Sequence, residues 1–146
     1  PGMVARKRGR IINIVSEAGN NPEAELAAYS TSKAALIHFT EAMSLAVAEH
    51  GVGVFAYHPG MVRSTMTEGL VRDMGGSMGE RLKAAFAEGR DTSVERSVEQ
   101  FMLLASGRGD FLNGRYIMSR QKEEDLLAEA DEIAGSDRYK LRVVRP

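Results

Sequence analysis

The 146-residue chain has no cysteine, which excludes disulfides from its fold and thiolates from its chemistry. Its three histidines are scattered and give no metal-ligand spacing. An excess of charge of one sign is also missing. A net charge of −1 leaves no large field to attract nucleic acid or an anionic membrane. No apolar run approaches the roughly 18 residues of a membrane-spanning helix. Internal repeats and low-complexity stretches are lacking too. These absences predict a protein with no metal, no nucleic-acid partner and no membrane partner; a cytoplasmic location is the expectation, with which the lack of cysteine is compatible as it is with any compartment.

What is present is ordinary globular material, 43% hydrophobic and 27% charged, enough for one core. The most informative pattern is Tyr29-Ser-Thr-Ser-Lys33 in a helical stretch. Ser16 lies thirteen residues upstream, at the end of the strand-like run Arg10-Ile-Ile-Asn-Ile-Val-Ser16. A Tyr-x-x-x-Lys pair alone arises by chance roughly one time in seven in such a chain, and by itself it reads rather as a solvated lysine one turn from a partly exposed tyrosine. Requiring the upstream serine lowers the chance to roughly one in a hundred.

Residues four apart on a helix are neighbours, so Lys33 can sit beside the Tyr29 phenol. A cation there favours the ionised phenol and turns an inert group into an acid/base. Ser16, leaving the carboxyl end of a strand, can donate a hydrogen bond to the same substrate oxygen. A phenol, an ammonium and a hydroxyl so placed point to proton exchange with a carbonyl or alcohol oxygen.

The pattern along the chain predicts an α/β fold. Arg6 to Arg10 reads as a solvated helix end leading into a strand. The β-branched run from Ile11 to Val15 predicts a strand buried on both faces, as in a parallel sheet. From about Ala24 to Glu49 the spacing predicts a helix with Leu36, Phe39, Met43 and Val47 as its core stripe. Its many alanines fit either helix propensity or close approach by another helix. Gly51 should end this helix, and Val52 to Tyr57 should form the next strand, completing a βαβ unit.

His58-Pro-Gly-Met-Val-Arg-Ser64 follows as a turn at the carboxyl end of that strand, where open α/β sheets bind ligands. His58 itself tempts as a second acid/base but reads rather as a structural or solvated histidine beside a turn. Between Met66 and Arg90, the residues Met66, Leu70, Val71, Met74 and Met78 fit either an apolar pocket under a lid or a surface helix pair, with a hinge at Asp73 to Gly79. Ser93 should begin a helix carrying Val94, Val98, Phe101, Met102 and Leu104. Arg108-Gly-Asp110 reads as a turn and Gly114 to Met118 as a short strand. Residues 121–134 predict one amphipathic helix with Leu126, Leu127, Ala130 and Ile133 on one side, and Tyr139 to Val144 a small strand or an arm.

Ser16, Tyr29 and Lys33, together with Pro59-Gly60, make the chain resemble the classical short-chain dehydrogenase/reductase family from about Gly9 to Ile117. The resemblance implies the carboxyl-terminal half of a Rossmann-like doubly wound parallel sheet. Residues 1–120 would be the C-terminal part of an NAD(P)-binding domain, and 121–146 a C-terminal helix and tail. It also implies roles: Tyr29 as general acid/base, Ser16 holding the oxygen, and Lys33 acting on Tyr29 and on nicotinamide-ribose hydroxyls. Pro59, Gly60, Val62 and Ser64 would lie against the nicotinamide of NAD or NADP. The implied partners are a small alcohol or carbonyl substrate and, in a complete form, further copies of the chain.

Two features depart from the family pattern. Ser64 stands where Thr is usual. The chain starts at Pro1 and has no Gly-rich phosphate loop, since Gly51-Val-Gly53 precedes a strand rather than a helix. The expectation is therefore a portion of a longer enzyme whose Ile11–Val15 strand lacks a neighbour on one side. The alternative is a truncated, non-catalytic product serving at most as an interaction module.

Overall fold

A computed structural model describes residues 1–73 and 76–143, with the side chains at 77 and 78 outside that description. The elements are α1 (Gly2–Ala5), β1 (Gly9–Ile14), α2 (Ala27–Val47), β2 (Val52–His58), α3 (Thr65–Asp73), α4 (Gly76–Ala87), α5 (Val94–Ser106), β3 (Tyr116–Met118), α6 (Glu123–Ala128) and α7 (Ala130–Ala134). Among the described residues, the sheet has the order β1-β2-β3 with both pairings parallel. Gly9 registers with Val52 and Ile14 with Tyr57, while Ala56 registers with Tyr116. The chain is an α/β fold with a parallel sheet, as the strand-helix-strand spacing predicts.

It is β2, not β1, that is buried on both faces. One face of β2 presents Phe55 and Tyr57 to Leu103 and Leu104 of α5, Leu126 of α6 and Ile133 of α7. The other presents Ala56 to Ile37 of α2, with Val15 and Tyr116 in the same cluster. β1 is half-buried and ends at Ile14, which is 46% exposed. The burial expected for Ile11 to Val15 needs neighbours on both sides, and β1 has β2 on one side only among the described residues.

Three helix readings are corrected. The buried stripe of α2 is Ser30, Ile37, Thr40 and Ser44, about a quarter turn round from the expected Leu36, Phe39, Met43 and Val47; Leu36 still packs on the core, and Phe39 is 53% exposed. Small and hydroxylated residues let α2 lie close to the sheet, and their hydrogen bonds are met locally. Thr40 donates to the Leu36 carbonyl and accepts from Asn13 of β1. In α5 the buried residues are Gln100, Leu103 and Leu104, while Val94, Val98 and Met102 face outward. Ser93 does cap it, accepting from the Arg96 amide at 3.1 Å.

The helix expected over 121–134 is interrupted at Glu129 (φ −104°, ψ 13°), giving α6 and α7. Only Leu126 and Ile133 of the expected apolar side are buried there, and Leu127 is exposed. The segment after Asp137 is an arm rather than a strand, fixed by the Tyr116 amide donating to the Tyr139 carbonyl. Val144, at the end of that expectation, lies outside the described residues. So do Met74 and the side chain of Met78. Met66, another expected pocket residue, points to solvent.

Candidate active site at the carboxyl end of the sheet

Leaving β1, the chain passes buried Val15, whose amide donates to the Tyr57 carbonyl, and reaches Ser16. Ser16 caps the 3-10 turn Glu17–Gly19: its Oγ accepts from the Ala18 amide at 3.3 Å, leaving its own hydroxyl proton free to be donated. Gly19 then packs directly on α2. A Cβ at Gly19 would stand 2.7 Å from the Lys33 carbonyl carbon and 2.9 Å from the Ala34 nitrogen. Sequence reasoning did not single out Gly19, although it is what lets the Ser16 turn touch the Lys33 turn. Its only sequence signal is a glycine three residues after the strand-ending serine.

On α2, Tyr29 and Lys33 share a face, with the Lys33 Nζ 5.6 Å from the Tyr29 ring centroid. Lys33 also donates to the Ile14 carbonyl at 3.0 Å, so the helix grips the strand two residues before Ser16. Tyr29 is 42% exposed and therefore reachable from solvent. The structure thus brings the Ser16 turn and the Tyr29–Lys33 turn together, as the motif spacing predicts.

Beside them, β2 delivers His58 and then Pro59 and Gly60. Gly60 has φ +84°, and a Cβ there would meet Thr92 Oγ1 and Ser119 Oγ within 2.6 Å, so the turn admits only glycine. Val62 forms a parallel bridge with Thr92, holding the Pro59–Val62 segment half-buried beside the end of the sheet. Ser64 has a different employment. Its amide and hydroxyl both engage Thr67, at 2.8 and 3.2 Å, in the first turn of α3. Its hydroxyl is therefore a helix-capping group in this structure.

His58 stacks on Tyr116 at 6.5 Å with an interplanar angle of 7°. Burial pushes the His58 imidazole below the usual histidine range; Glu17 pulls it the other way, and Arg120 adds to the fall. Of the structural and solvated readings of His58, its burial and its stacking on Tyr116 favour the structural one. Burial also pushes the Tyr116 phenol up, reinforced by Glu17. Glu17 and Arg120 themselves pair at 3.3 Å, connecting the residue after Ser16 with the loop after β3.

Among the described residues no group of His, Asp or Glu could hold a metal ion, and no helix is long and apolar enough to cross a membrane. Lys33 uses one of its three N–H donors on Ile14, and the half-buried Pro59–Val62 turn is mainly apolar.

Comparison with known proteins identifies relatives of the chain and of its fold. A short chain dehydrogenase of Monascus ruber is 31% identical over 146 residues, covering 99% of this chain and 45% of that protein. The chain therefore spans about half the length of the curated relatives it matches. A structure described as an NAD(P)-dependent gluconate 5-dehydrogenase from Beutenbergia cavernae, with bound NADP, is 31% identical. It superposes with a TM-score of 0.68 over 80% of this chain and 46% of that one. Actinorhodin polyketide ketoreductase with NADPH is 29% identical, with a TM-score of 0.67 over 80% of this chain and 48% of that one. The sequence profile of the short chain dehydrogenases matches residues 1–75, the span that holds β1, the Ser16 turn, α2, β2 and Pro59-Gly60. The chain belongs to the short-chain dehydrogenase family.

Proposed function

We propose that the protein is an NAD(P)-dependent oxidoreductase that interconverts an alcohol and a ketone or aldehyde, with Tyr29 as general acid/base. The observation that carries this reading is the double engagement of Lys33, whose ammonium faces the Tyr29 ring and is bonded to the strand that delivers Ser16.

The chemistry divides among the side chains. Ser16 donates its free hydroxyl proton to the substrate oxygen and fixes its position. Tyr29 gives a proton to that oxygen during reduction and takes one during oxidation. Lys33 stands beside the Tyr29 ring and keeps two N–H donors for ribose hydroxyls. Pro59, Gly60 and Val62 form the floor against which a nicotinamide ring would lie, and Ser64 supports that floor by capping α3. When bound, the nicotinamide supplies or accepts the hydride. The relatives solved with NADP or NADPH support this cofactor class. The outward apolar residues of α2 and α5, Phe39 and Val98 among them, support assembly of the complete protein as a homo-oligomer.

Replacing Tyr29 by Phe keeps the ring and its packing and removes the proton. The expected outcome is a fall in turnover of at least about a hundredfold, with cofactor binding retained, read as oxidation or reduction of the nicotinamide by absorbance. Turnover unchanged in Tyr29→Phe would end this reading.

A further inference from the structure

The two edges of the sheet are finished differently. At β3 the Arg115 carbonyl accepts from the Ala56 amide and the Ser119 amide donates to the His58 carbonyl, so the odd-numbered residues turn their backbone groups to β2. Tyr116 and Met118 turn theirs outward. Those groups are already engaged. The Tyr116 amide donates to the Tyr139 carbonyl at 2.8 Å, the Met118 amide donates to Gln121 Oε1 at 2.7 Å, and the Met118 carbonyl accepts from the Gln121 amide at 3.1 Å. On β1 the Val15 amide faces β2, which leaves Arg10, Ile12 and Ile14 facing out; of their backbone groups only the Ile14 carbonyl is met, by Lys33, among the described residues. We propose that the arm after Asp137, together with Gln121, is an edge guard: it occupies the place on β3 that a second copy of this chain would otherwise take by strand pairing. The inference is independent of the hydride-transfer reading.

The shape of the arm fits a guard and not an added strand. A strand places residues i and i+2 on the same face. Here Tyr139 packs against the cluster of Phe55 and Tyr57, while Leu141 packs against that of Ala56 and Tyr116 on the opposite face of the sheet. The arm therefore wraps over the edge instead of lying along it, and it offers a partner no new row of backbone donors and acceptors. The wrap depends on Tyr139, whose φ of +62° is rare for a residue with a side chain. Such a conformation persists only where its surroundings impose it. Beyond Tyr139 the hold comes from Arg142, which places both terminal nitrogens on the Glu41 carboxylate of α2, and from Asp137, which accepts from Lys140 and Arg142.

A second copy is the occupant that the bare edge fits. Unpaired strand edges recruit other strands, and a two-fold axis requires the recruited surface to complement itself. β3 meets that requirement. An antiparallel pair of β3 strands centred on Ile117 sets Tyr116 opposite the partner's Met118 and Met118 opposite the partner's Tyr116. All of these residues face outward, so each opposed pair exchanges both of its N–H···O bonds. The arm and Gln121 now take up three of the groups that such a pairing would use, the Tyr116 amide and both backbone groups of Met118.

The test is sedimentation velocity over about a hundredfold range of protein concentration, joined to hydrogen exchange read at single amides. Proline holds φ at about −65° and cannot follow the turn of the arm. Tyr139→Pro combined with Gln121→Ala should therefore double in mass relative to the unaltered chain as concentration rises. In the dilute variant the Tyr116 and Met118 amides should exchange at least about tenfold faster than in the unaltered chain, and they should regain protection as the variant pairs. Tyr139→Gly combined with Gln121→Ala loses the ring but keeps the left-handed turn and its carbonyl, and it should keep the original mass. No gain in mass in the proline variant, or a gain that leaves those two amides unprotected, overturns the proposal. Equal association of the glycine variant overturns it too. Should the proline variant not fold, Arg142→Gln combined with Gln121→Ala loosens the arm from α2 and is judged by the same two readouts.

Discussion

Gly19 and His58 illustrate how single residues set the site without joining its chemistry. At Gly19 the turn after Ser16 meets the backbone of Lys33 at a distance that leaves no room for a side chain. Gly19→Ala must push the turn away from α2. It should cost about 1–3 kcal/mol in chemical denaturation, and the displaced Ser16 should lower turnover more than it alters cofactor binding. His58 carries a pH signature. Burial depresses its pKa in the folded state, so below the usual histidine value of about 6.5 the unfolded chain binds more protons than the folded one. Stability from this group is therefore complete above that pH and is lost as pH falls through the lower folded value. Glu17, Arg120 and Tyr116 are the charged and titratable groups that face it. Denaturant titrations from about pH 7.5 to about pH 5 should show falling stability, with a shallower decline in His58→Gln. The motif residues Tyr29, Lys33 and Ser16 were legible in the sequence because their spacing is itself the chemistry. Gly19 was not, since its constraint arises from a contact across the fold.

Among the elements, α2 shows where periodicity misleads. The large apolar residues Leu36, Phe39 and Met43 recur at helical intervals, yet the face that meets the sheet is centred on Ser30, Ile37, Thr40 and Ser44, with Leu36 at its edge. Both faces are suited to burial, and amphipathicity cannot choose between them. The deciding term is closeness: a helix that must reach across to Ile14 with Lys33 and to Asn13 with Thr40 presents its small side to the sheet. α5 repeats the lesson, with Leu103 and Leu104 inward and Val94, Val98 and Met102 outward. The order of strands and helices was legible because β-branched runs, Gly51 and Ser93 are local signals. The phase of a doubly apolar helix is not local. If the outward face of α2 is covered by a second copy, Phe39→Lys should shift sedimentation toward the monomer and leave the far-ultraviolet circular dichroism unchanged. An unchanged mass distribution would remove α2 from the interface.

For the molecule as a whole, the tail completes the core rather than trailing from it. Leu126 and Ile133 share one cluster with Phe55 and Tyr57 of the central strand, and Arg142 pairs with Glu41 on α2. Arg115, buried beside β3, donates to the carbonyls of Ile133, Ala134 and Ser136. Arg115→Met should remove a donor from each of those carbonyls, with Ser136 still donating to Ile133, and cost about 3 kcal/mol or more. Limited trypsin digestion should then cut at Arg138, Lys140 and Arg142 well before the rest of the chain, and unchanged cleavage rates would refute the anchoring role. Nothing in the composition marks Arg115 among so many arginines, because its function is defined by three carbonyls that only the folded tail gathers. That single guanidinium also gives the tail a particular kind of motion. A segment tied at many independent points frays residue by residue, but one tied through a common knot lets go as a unit. Amide protons around Tyr116, Ser136 and Tyr139 should therefore exchange with solvent at one shared rate, as a single opening event.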